Sequence, residues 1–286
     1  MSAAIEAPAP RRRIRIQASR RRVPLTLHDL RELWAYHELM FFLVWRDVKV
    51  KYKQTALGAA WAILVPFTQM VVFTLLFNRA LHVKSEYHVP YPLFIFTAML
   101  PWTYFTACLS ASGTSIVGNQ NLITKVFFPR LIIPLAAVVA PVIDFLLAFT
   151  VLVGMFFYYG RAPHWHLVVI PAFLGMALLT AFGVGLWLSA LNVRYRDVPF
   201  IVPYLTQIWF FATPIVYGIT ALKPGTQELI ALNPMAGVID GFRRAVLGRG
   251  LPHYHVYAVS FGIAVAVMLS GIWYFRRVER YFADLI

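Results

Sequence analysis

The sequence predicts an all-α polytopic membrane protein. Six transmembrane helices are expected, preceded by an N-terminal amphipathic interface helix and carrying an outer re-entrant helical hairpin between spans five and six. Three observations lead there. The 286-residue chain is 60% hydrophobic and 13% charged, whereas an ordinary soluble domain is about half apolar and about a quarter charged. Several apolar stretches exceed the roughly 20 residues a helix needs to cross a bilayer. Twelve of the 26 Lys and Arg residues fall in the first 56 positions, ahead of the first span. No soluble basic module is present, so this charge points to an anionic lipid surface and not to nucleic acid.

Three segments follow from this pattern: a basic cytoplasmic tail (1–26), an amphipathic interface helix (27–56) and a six-span transmembrane domain (57–286). In the tail, Pro8, Pro10 and two triple-Arg clusters at 11–13 and 20–22 predict disorder. These cations either attract lipid or a partner, at about 1 kcal/mol per basic residue, or serve only to set topology. In the next segment Leu30, Leu33, Trp34, His37, Phe41, Val44, Trp45, Val48 and Tyr52 recur at helical spacing. Its wholly apolar core, 39–45, is too short to span. The helix is expected in the interface plane with Trp34 and Trp45 at headgroup level, or packed on the chain's own spans, and both can hold.

The spans are expected at 57–81, 91–117, 132–159, 167–191, 198–219 and 257–275. With the N-terminus inside, 19 Lys and Arg lie in inner segments against 7 outside, so both termini are predicted cytoplasmic. Between spans two and three, residues 118–134 read GNQNLITKVFFPRLIIP. Asn119, Gln120 and Asn121 cannot rest in hydrocarbon, where unsatisfied polar groups cost several kcal/mol each. A helix over 122–128 is expected, with Leu122 and Val126 in one stripe and Lys125 and Arg130 on other faces; Pro129 and Pro134 punctuate the return. Such a segment suits docking of a partner, or is an ordinary loop with positive-inside charge. Residues 228–248, ELIALNPMAGVIDGFRRAVLG, are too apolar for a free loop. Asn233-Pro234 and Gly237 are expected to break them into two short helices, a re-entrant hairpin that survives at depth only against protein or a wet cavity. Asp240 can pair with Arg243 or Arg244 at i+3 or i+4. The alternative is an amphipathic helix on the outer surface.

Catalytic chemistry finds no support. The stretch from Gly118 to Lys125 lacks the second glycine and following Ser/Thr of a nucleotide-binding loop and follows no predicted strand. The lone Cys108 excludes an internal disulfide or a thiolate metal site. The pairs His164/His166 and His253/His255 lack an accompanying carboxylate or thiolate set. No cleavable signal peptide is expected at the N-terminus. Asp144 is the acid nearest the middle of a span, where it would serve either a proton relay or a structural tie to a polar group on a neighbouring helix. Aromatics cluster beside prolines in the spans: Trp102, Tyr104 and Phe105 after Pro101, and Trp209, Phe210 and Phe211 before Pro214, with Trp61, Phe67 and Phe73 in span one. Near span ends these form an interface belt; mid-span they are candidates for a gate or lumen.

Five ordered stretches carry a resemblance: LRELWAYHELMFFLVWRDVKVKYKQTALGAAWA (30–62), FTAMLPWTYF (96–105), GNQNLITKVFFPRLIIPLAAV (118–138), LWLSALNVRYRDV (186–198) and LNPMAGVIDGFRRAVLG (232–248). Through them the chain resembles the membrane subunit of bacterial ABC exporters of the type-2 permease family, and more narrowly the permeases that export lipid-linked polysaccharides such as O-antigen, capsule or teichoic acid. The resemblance implies a homodimer in the bacterial inner membrane with two copies of a cytoplasmic ATPase subunit, which would carry the ATP and Mg; no cofactor is expected on this chain. It implies that Asn121, Leu122, Lys125, Val126, Phe127 and Arg130 form a coupling helix inserted into the ATPase, with Arg194, Arg196 and Asp197 as a second contact. The outer hairpin, with Asn233, Pro234, Asp240, Arg243 and Arg244, would close the exit. On this reading Arg46, Lys49, Lys51 and Lys53 attract the pyrophosphate of a polyprenyl-linked glycan, or anchor the helix by positive-inside charge. Trp61, Trp102, Tyr104, Phe105, Trp209 and Phe210 would line the channel. The same fold could carry a small hydrophobic drug or simple lipid. An ATPase-independent flippase or a membrane glycosyltransferase is a further reading, though the latter needs an acidic catalytic motif that Arg194-Tyr195-Arg196-Asp197 does not supply.

Overall fold

A computed structural model describes residue 31, residues 33–280 except 54, 56, 84, 87, 162 and 163, and residue 282. The basic tail, its Arg clusters and the first residues of the amphipathic segment, including Leu30, lie outside the described residues. Every regular element among the described residues is helical. In chain order these are α1 (His37–Lys53), α2 (Ala60–Phe73), α3 (Tyr91–Gly118), α4 (Gln120–Lys125), α5 (Ile132–Val139), α6 (Val142–Tyr158), α7 (Ile170–Arg194), α8 (Val198–Phe211), α9 (Pro224–Ala231), α10 (Pro234–Val246) and α11 (Tyr254–Glu279). Among the described residues, five helical stretches are long and apolar enough to cross a membrane: Ala60–Ala80, Tyr91–Gly118, Ile132–Tyr158, Trp165–Arg194 and Tyr254–Glu279. The protein is a multi-pass membrane protein.

The central element is α3. Its 28 residues span about 42 Å at 1.5 Å per residue, and α2, α5, α6, α7, α8 and α10 all pack on it. Enclosure by so many neighbours explains why it is apolar on every face instead of along one stripe. The α7 and α11 pair crosses at glycines. A Cβ on Gly183 would lie 2.6 Å from the backbone of Met268, and one on Gly271 would lie 2.3 Å from the Gly183 carbonyl oxygen. Lipid tails are as apolar as Leu, so close backbone approach through small residues, not a hydrophobic drive, holds such pairs.

Several boundaries differ from the sequence reading, each for a physical reason. The first span ends in a π-helical turn, Thr74–Ala80. The third is broken into α5 and α6 at Ala140-Pro141, where the proline cannot donate a backbone hydrogen bond. The fourth starts with a 3-10 turn, Trp165–Val169. The fifth is expected at 198–219, but α8 is only 14 residues long, about 21 Å against a hydrocarbon core of about 30 Å. Residues 212–218 complete it as irregular chain. The hairpin does break at Asn233-Pro234, yet Gly237 does not interrupt α10; it lets the helix approach α11, where a Cβ would stand 2.7 Å from the side chain of Ser260.

The two ends of the bundle are chemically distinct. At the N-terminal end of α3, Tyr91 and Phe94 meet the irregular segment after α8 and the hairpin helix α10. At its other end lie α4, the packed face of α1, and the C-terminal turn of α11, which receives a hydrogen bond from Arg130. Of the two placements expected for α1, packing on the chain is seen: Leu43 is buried among Ile116, Ile123 and Ile133. Phe41, Phe42 and Trp45 face away from the bundle, exposed, as a lipid-facing side requires.

Candidate functional site

Helix α10 carries Asp240, Arg243 and Arg244, yet every residue of Pro234–Val246 is buried. Enclosed charge costs several kcal/mol per ion unless it is paired, so each of these groups must have partners, and each does. The guanidinium of Arg243 donates to the carbonyls of Pro214 (3.1 Å), Ile215 (2.6 Å) and Tyr217 (3.2 Å) and lies 3.9 Å above the ring of Phe94. The Tyr91 hydroxyl donates to the carbonyl of Val216 at 2.9 Å. These carbonyls belong to the irregular chain that follows α8, and non-helical backbone at membrane depth persists only when such groups are satisfied. Arg243 therefore takes the place of the missing helical turn.

Asn233 fastens the same junction from the other side. Its Oδ1 accepts from Trp209 Nε1 at 2.9 Å and caps α10 through Met235 N at 3.1 Å, while Nδ2 donates to the Thr213 hydroxyl at 2.9 Å. Asp240 Oδ2 accepts from Arg244 Nε (3.0 Å) and the Tyr257 hydroxyl (2.7 Å) and lies 3.1 Å from His253 Nδ1. Arg244 Nη2 reaches on to Glu86 at 3.0 Å. Burial raises the Asp240 pKa, but the hydrogen bonds from His253 and Tyr257 and the charges of Arg244 and Arg243 outweigh it and hold the carboxyl below its ordinary value. Of the two partners that spacing offers Asp240, Arg244 takes the place and Arg243 instead turns to the backbone.

At the opposite end, a cavity of about 500 Å³ opens between α1, α3, α5 and α6. Its apolar wall is built largely of alanines from α3 and α5, and α1 contributes Arg46, Asp47, Lys51 and Tyr52. Arg46 pairs with Asp47 at 2.7 Å, and both Lys51 and Tyr52 bond the carboxylate of Asp144. Burial and the Asp144 hydrogen bond raise the Tyr52 phenol above its ordinary value, keeping it a donor. Asp144 is thus tied to polar groups of a neighbouring helix. Of the four cations expected to attract pyrophosphate, Arg46 and Lys51 are already engaged by carboxylates. Lys49 stands 5.2 Å from the Trp45 ring centroid, and Lys53 is exposed with no partner shown among the described residues.

The segment after α3 differs in register from its expected form. Helix α4 ends at Lys125, and Val126 is already extended (φ −126°, ψ 136°), because a helix rarely continues up to the residue before proline and Phe128 precedes Pro129. Ile123, not Leu122, is the inward anchor, with Phe128 beside it in the same cluster. Asn121, Lys125, Val126 and Phe127 are exposed, Phe127 to 86%. Arg130 faces the chain itself: it donates to the Glu279 carbonyl at 2.5 Å and lies 5.9 Å from the Phe282 ring centroid. Arg194, Arg196 and Asp197 are exposed on the turn between α7 and α8.

The expected channel aromatics divide sharply. Trp102, Tyr104, Phe105 and Phe210 are buried in the chain's own core, and Tyr104 donates to the Val138 carbonyl at 3.1 Å. Trp209 is half-buried and held by Asn233. Trp61 alone is on an open face, 50% exposed. Because α3 is the central helix, its mid-span aromatics pack inward. Among the exposed aromatics are Phe67 on α2 and Phe200, Tyr204 and Phe211 on α8, two helices that touch through the stacked pair Phe73 and Phe210, 5.1 Å apart.

A sequence profile of the ABC-2 type transporter family matches residues 38–247, from the start of α1 to the end of α10. The chain belongs to the ABC-2 type transporter family. Among curated proteins it is similar to the O-antigen export system permease protein RfbA of Myxococcus xanthus, 30% identical over 260 residues that cover 90% of this chain and 98% of that protein. A protein of the same name from Klebsiella pneumoniae is 27% identical over 254 residues, covering 87% and 95%. The polysialic acid transport protein KpsM of Escherichia coli is 21% identical over 209 residues, covering 71% and 78%. As an ABC-2 family chain the protein is a transport subunit, and the matched region includes Asp240, Arg243 and Arg244 of α10 and the cluster around Asp144. Sequence reasoning missed Glu86, His253, Tyr257 and Asp47 as members of those clusters. Glu86 had a readable signal, being the only acid between residues 48 and 143. The roles of Tyr257 and His253 depend on how α11 lies against α10, which no spacing encodes.

Proposed function

We propose that this chain is the permease subunit of an ATP-driven exporter that moves a lipid-linked, O-antigen-like polysaccharide from the cytoplasmic side across a bacterial inner membrane. The observation that carries this reading is the similarity to O-antigen export permeases over nearly the whole of both chains. Two copies of the chain work with two copies of a separate cytoplasmic ATPase subunit, which holds the ATP and Mg. Both termini lie in the cytoplasm, in keeping with the distribution of Lys and Arg, so α4 and the exposed Phe127 face the ATPase. Arg194, Arg196 and Asp197 provide the second contact at the same end.

In this mechanism, closure of the ATPase pair pushes on α4. The push reaches α3 directly through Gly118-Asn119, and reaches α11 through Arg130 and Glu279. The outward aromatic face of α2 and α8 meets its counterpart in the second copy, and parting of these faces opens the path for the glycan. The hairpin α9–α10 closes the outer end. Lys53 and Lys49, whose charges no carboxylate cancels among the described residues, are placed to attract the pyrophosphate at the inner end.

The test is co-purification. The chain, expressed with the ATPase subunit of its own operon, is expected to form a stable complex whose ATP turnover rises with added polyprenyl-linked glycan. A Lys49→Gln, Lys53→Gln variant should assemble normally but show a weaker glycan response. An assembled complex indifferent to glycan and stimulated instead by a small hydrophobic compound would refute the polysaccharide reading.

A further inference from the structure

The cavity behind α1 has properties that the export of a polyanionic lipid does not use. It runs inward from Gly118 and Asn119 at the end of α3 to Ala107, a distance of about 16 Å along the helix. Its volume of about 500 Å³ is in the roughly 300–1,000 Å³ range of pockets that bury a small ligand. The far wall is apolar and shallow-sided, made by Ala107, Ala111, Ala136, Ala137 and Ala140. The polar side carries two ion pairs, Arg46 with Asp47 within α1 and Lys51 of α1 with Asp144 of α6, so its formal charge is zero.

Each pair keeps unused hydrogen-bonding capacity. Arg46 spends Nε and Nη2 on one oxygen, Asp47 Oδ1, which leaves Arg46 Nη1 as a donor and Asp47 Oδ2 as an acceptor with no partner shown among the described residues. Lys51 spends one of its three N–H donors on Asp144. Asn119 uses Nδ2 on the Ser115 carbonyl and leaves its amide oxygen. The cavity therefore offers spare donors and spare acceptors side by side, at the end of a membrane helix, above an alanine-lined slot.

We infer that this cavity is a binding site for a zwitterionic glycerophospholipid of the surrounding bilayer, of the phosphatidylethanolamine class. Its phosphate takes the free donors of Arg46 and Lys51, its ammonium takes Asp47 Oδ2 and the Asn119 amide oxygen, and one acyl chain lies along the alanines. Charge decides the class. A phosphate beside Lys51 also meets the Asp144 carboxylate, and one beside Arg46 meets that of Asp47. For a ligand of net negative charge, including a polyprenyl pyrophosphate, the two acids offset what the two cations offer, whereas a headgroup ammonium satisfies those acids as well. The bound lipid fills the space between α1 and the bundle and fixes the angle at which α1 leaves it. The inference needs only the membrane placement of the chain and stands apart from the nature of the exported substrate.

The experiment uses the full chain reconstituted in bilayers of equal phosphatidylethanolamine, phosphatidylglycerol and cardiolipin, extracted gently, with retained lipids weighed by native mass spectrometry. Wild type is expected to retain phosphatidylethanolamine above its share of the bilayer. Ala137→Phe, which fills the slot, should lose that enrichment. The Asp47→Asn, Asp144→Asn variant, which leaves the cations uncancelled, should switch to phosphatidylglycerol. The last two arms are independent, so a folding failure in one leaves the other decisive, and thermal unfolding in detergent identifies such a failure. Wild type that retains the three lipids in bulk proportion, or enriches an anionic one, overturns the inference. So does an Ala137→Phe protein that is folded and keeps its phosphatidylethanolamine.

Discussion

At the scale of single residues, Arg243 has the largest structural task. It replaces the hydrogen bonds of a missing helical turn with a planar fork that reaches three carbonyls. A lysine is a point charge and cannot hold that geometry. Arg243→Met is expected to destabilise the protein by at least about 3 kcal/mol, the scale for stripping partners from several buried polar groups. Arg243→Lys should recover only part of this, and denaturant unfolding in detergent micelles measures both. An Arg243→Lys protein as stable as wild type would show that one charge suffices. Asp240 provides a pH signature. Its folded pKa is depressed, so its contribution to stability is complete above the ordinary carboxyl value of about 4 and is lost as pH falls through the lower folded value. Unfolding midpoints should therefore fall in that acid window for wild type and stay flatter for Asp240→Asn. Parallel curves for the two proteins would contradict the assignment.

At the scale of elements, the segment proposed to couple to the ATPase is a short helix followed by an extended tip. Ile123 and Phe128 anchor it, while Phe127 projects outward. An exposed phenylalanine between two anchors is costly to leave in water and is suited to a pocket on a partner. Phe127→Ala should weaken ATPase association by about 2 kcal/mol or more, as expected for an aromatic anchor, with the spans intact; titration of the purified ATPase subunit against reconstituted chain measures it. Thr124→Pro removes a backbone donor inside α4 and clashes with the preceding turn. ATP hydrolysis should then proceed without export. Full coupling in that variant would reduce α4 to a connecting loop.

For the whole molecule, the distribution of packing is uneven. The α3, α7, α10 and α11 core is dense, whereas α2 and α8 carry exposed aromatics, Trp61, Phe67, Phe200, Tyr204 and Phe211. Aromatic side chains are enriched in such contacts because they cover much area at low entropic cost. With Cys108 replaced by Ser, a single Tyr204→Cys substitution is expected to cross-link two copies in native membranes, and Phe157→Cys, exposed on α6, should not. Equal cross-linking at both positions would mean that α8 faces lipid like any other outer helix.

Much of this architecture was legible without coordinates because membrane spans obey one dominant constraint. A spanning helix satisfies its backbone polar groups within itself, so length and apolarity give the order and approximate bounds of five spans, while the fifth expected span, short α8 with its irregular end, draws on Arg243 from another helix. The break at Asn233-Pro234, the pairing of Asp240 with Arg244 and the polar segment after span two were readable for the same reason: each is a local rule of spacing or cost. What sequence could not supply was direction. Whether Tyr104 faces a lumen or the core, whether Arg243 pairs with an acid or with unwound backbone, and whether Lys51 is free or held by Asp144 all depend on which helix lies against which. Local spacing puts side chains on a face of a helix; only the packing of distant helices, Gly183 on Gly271 and α10 on α11, determines what that face meets.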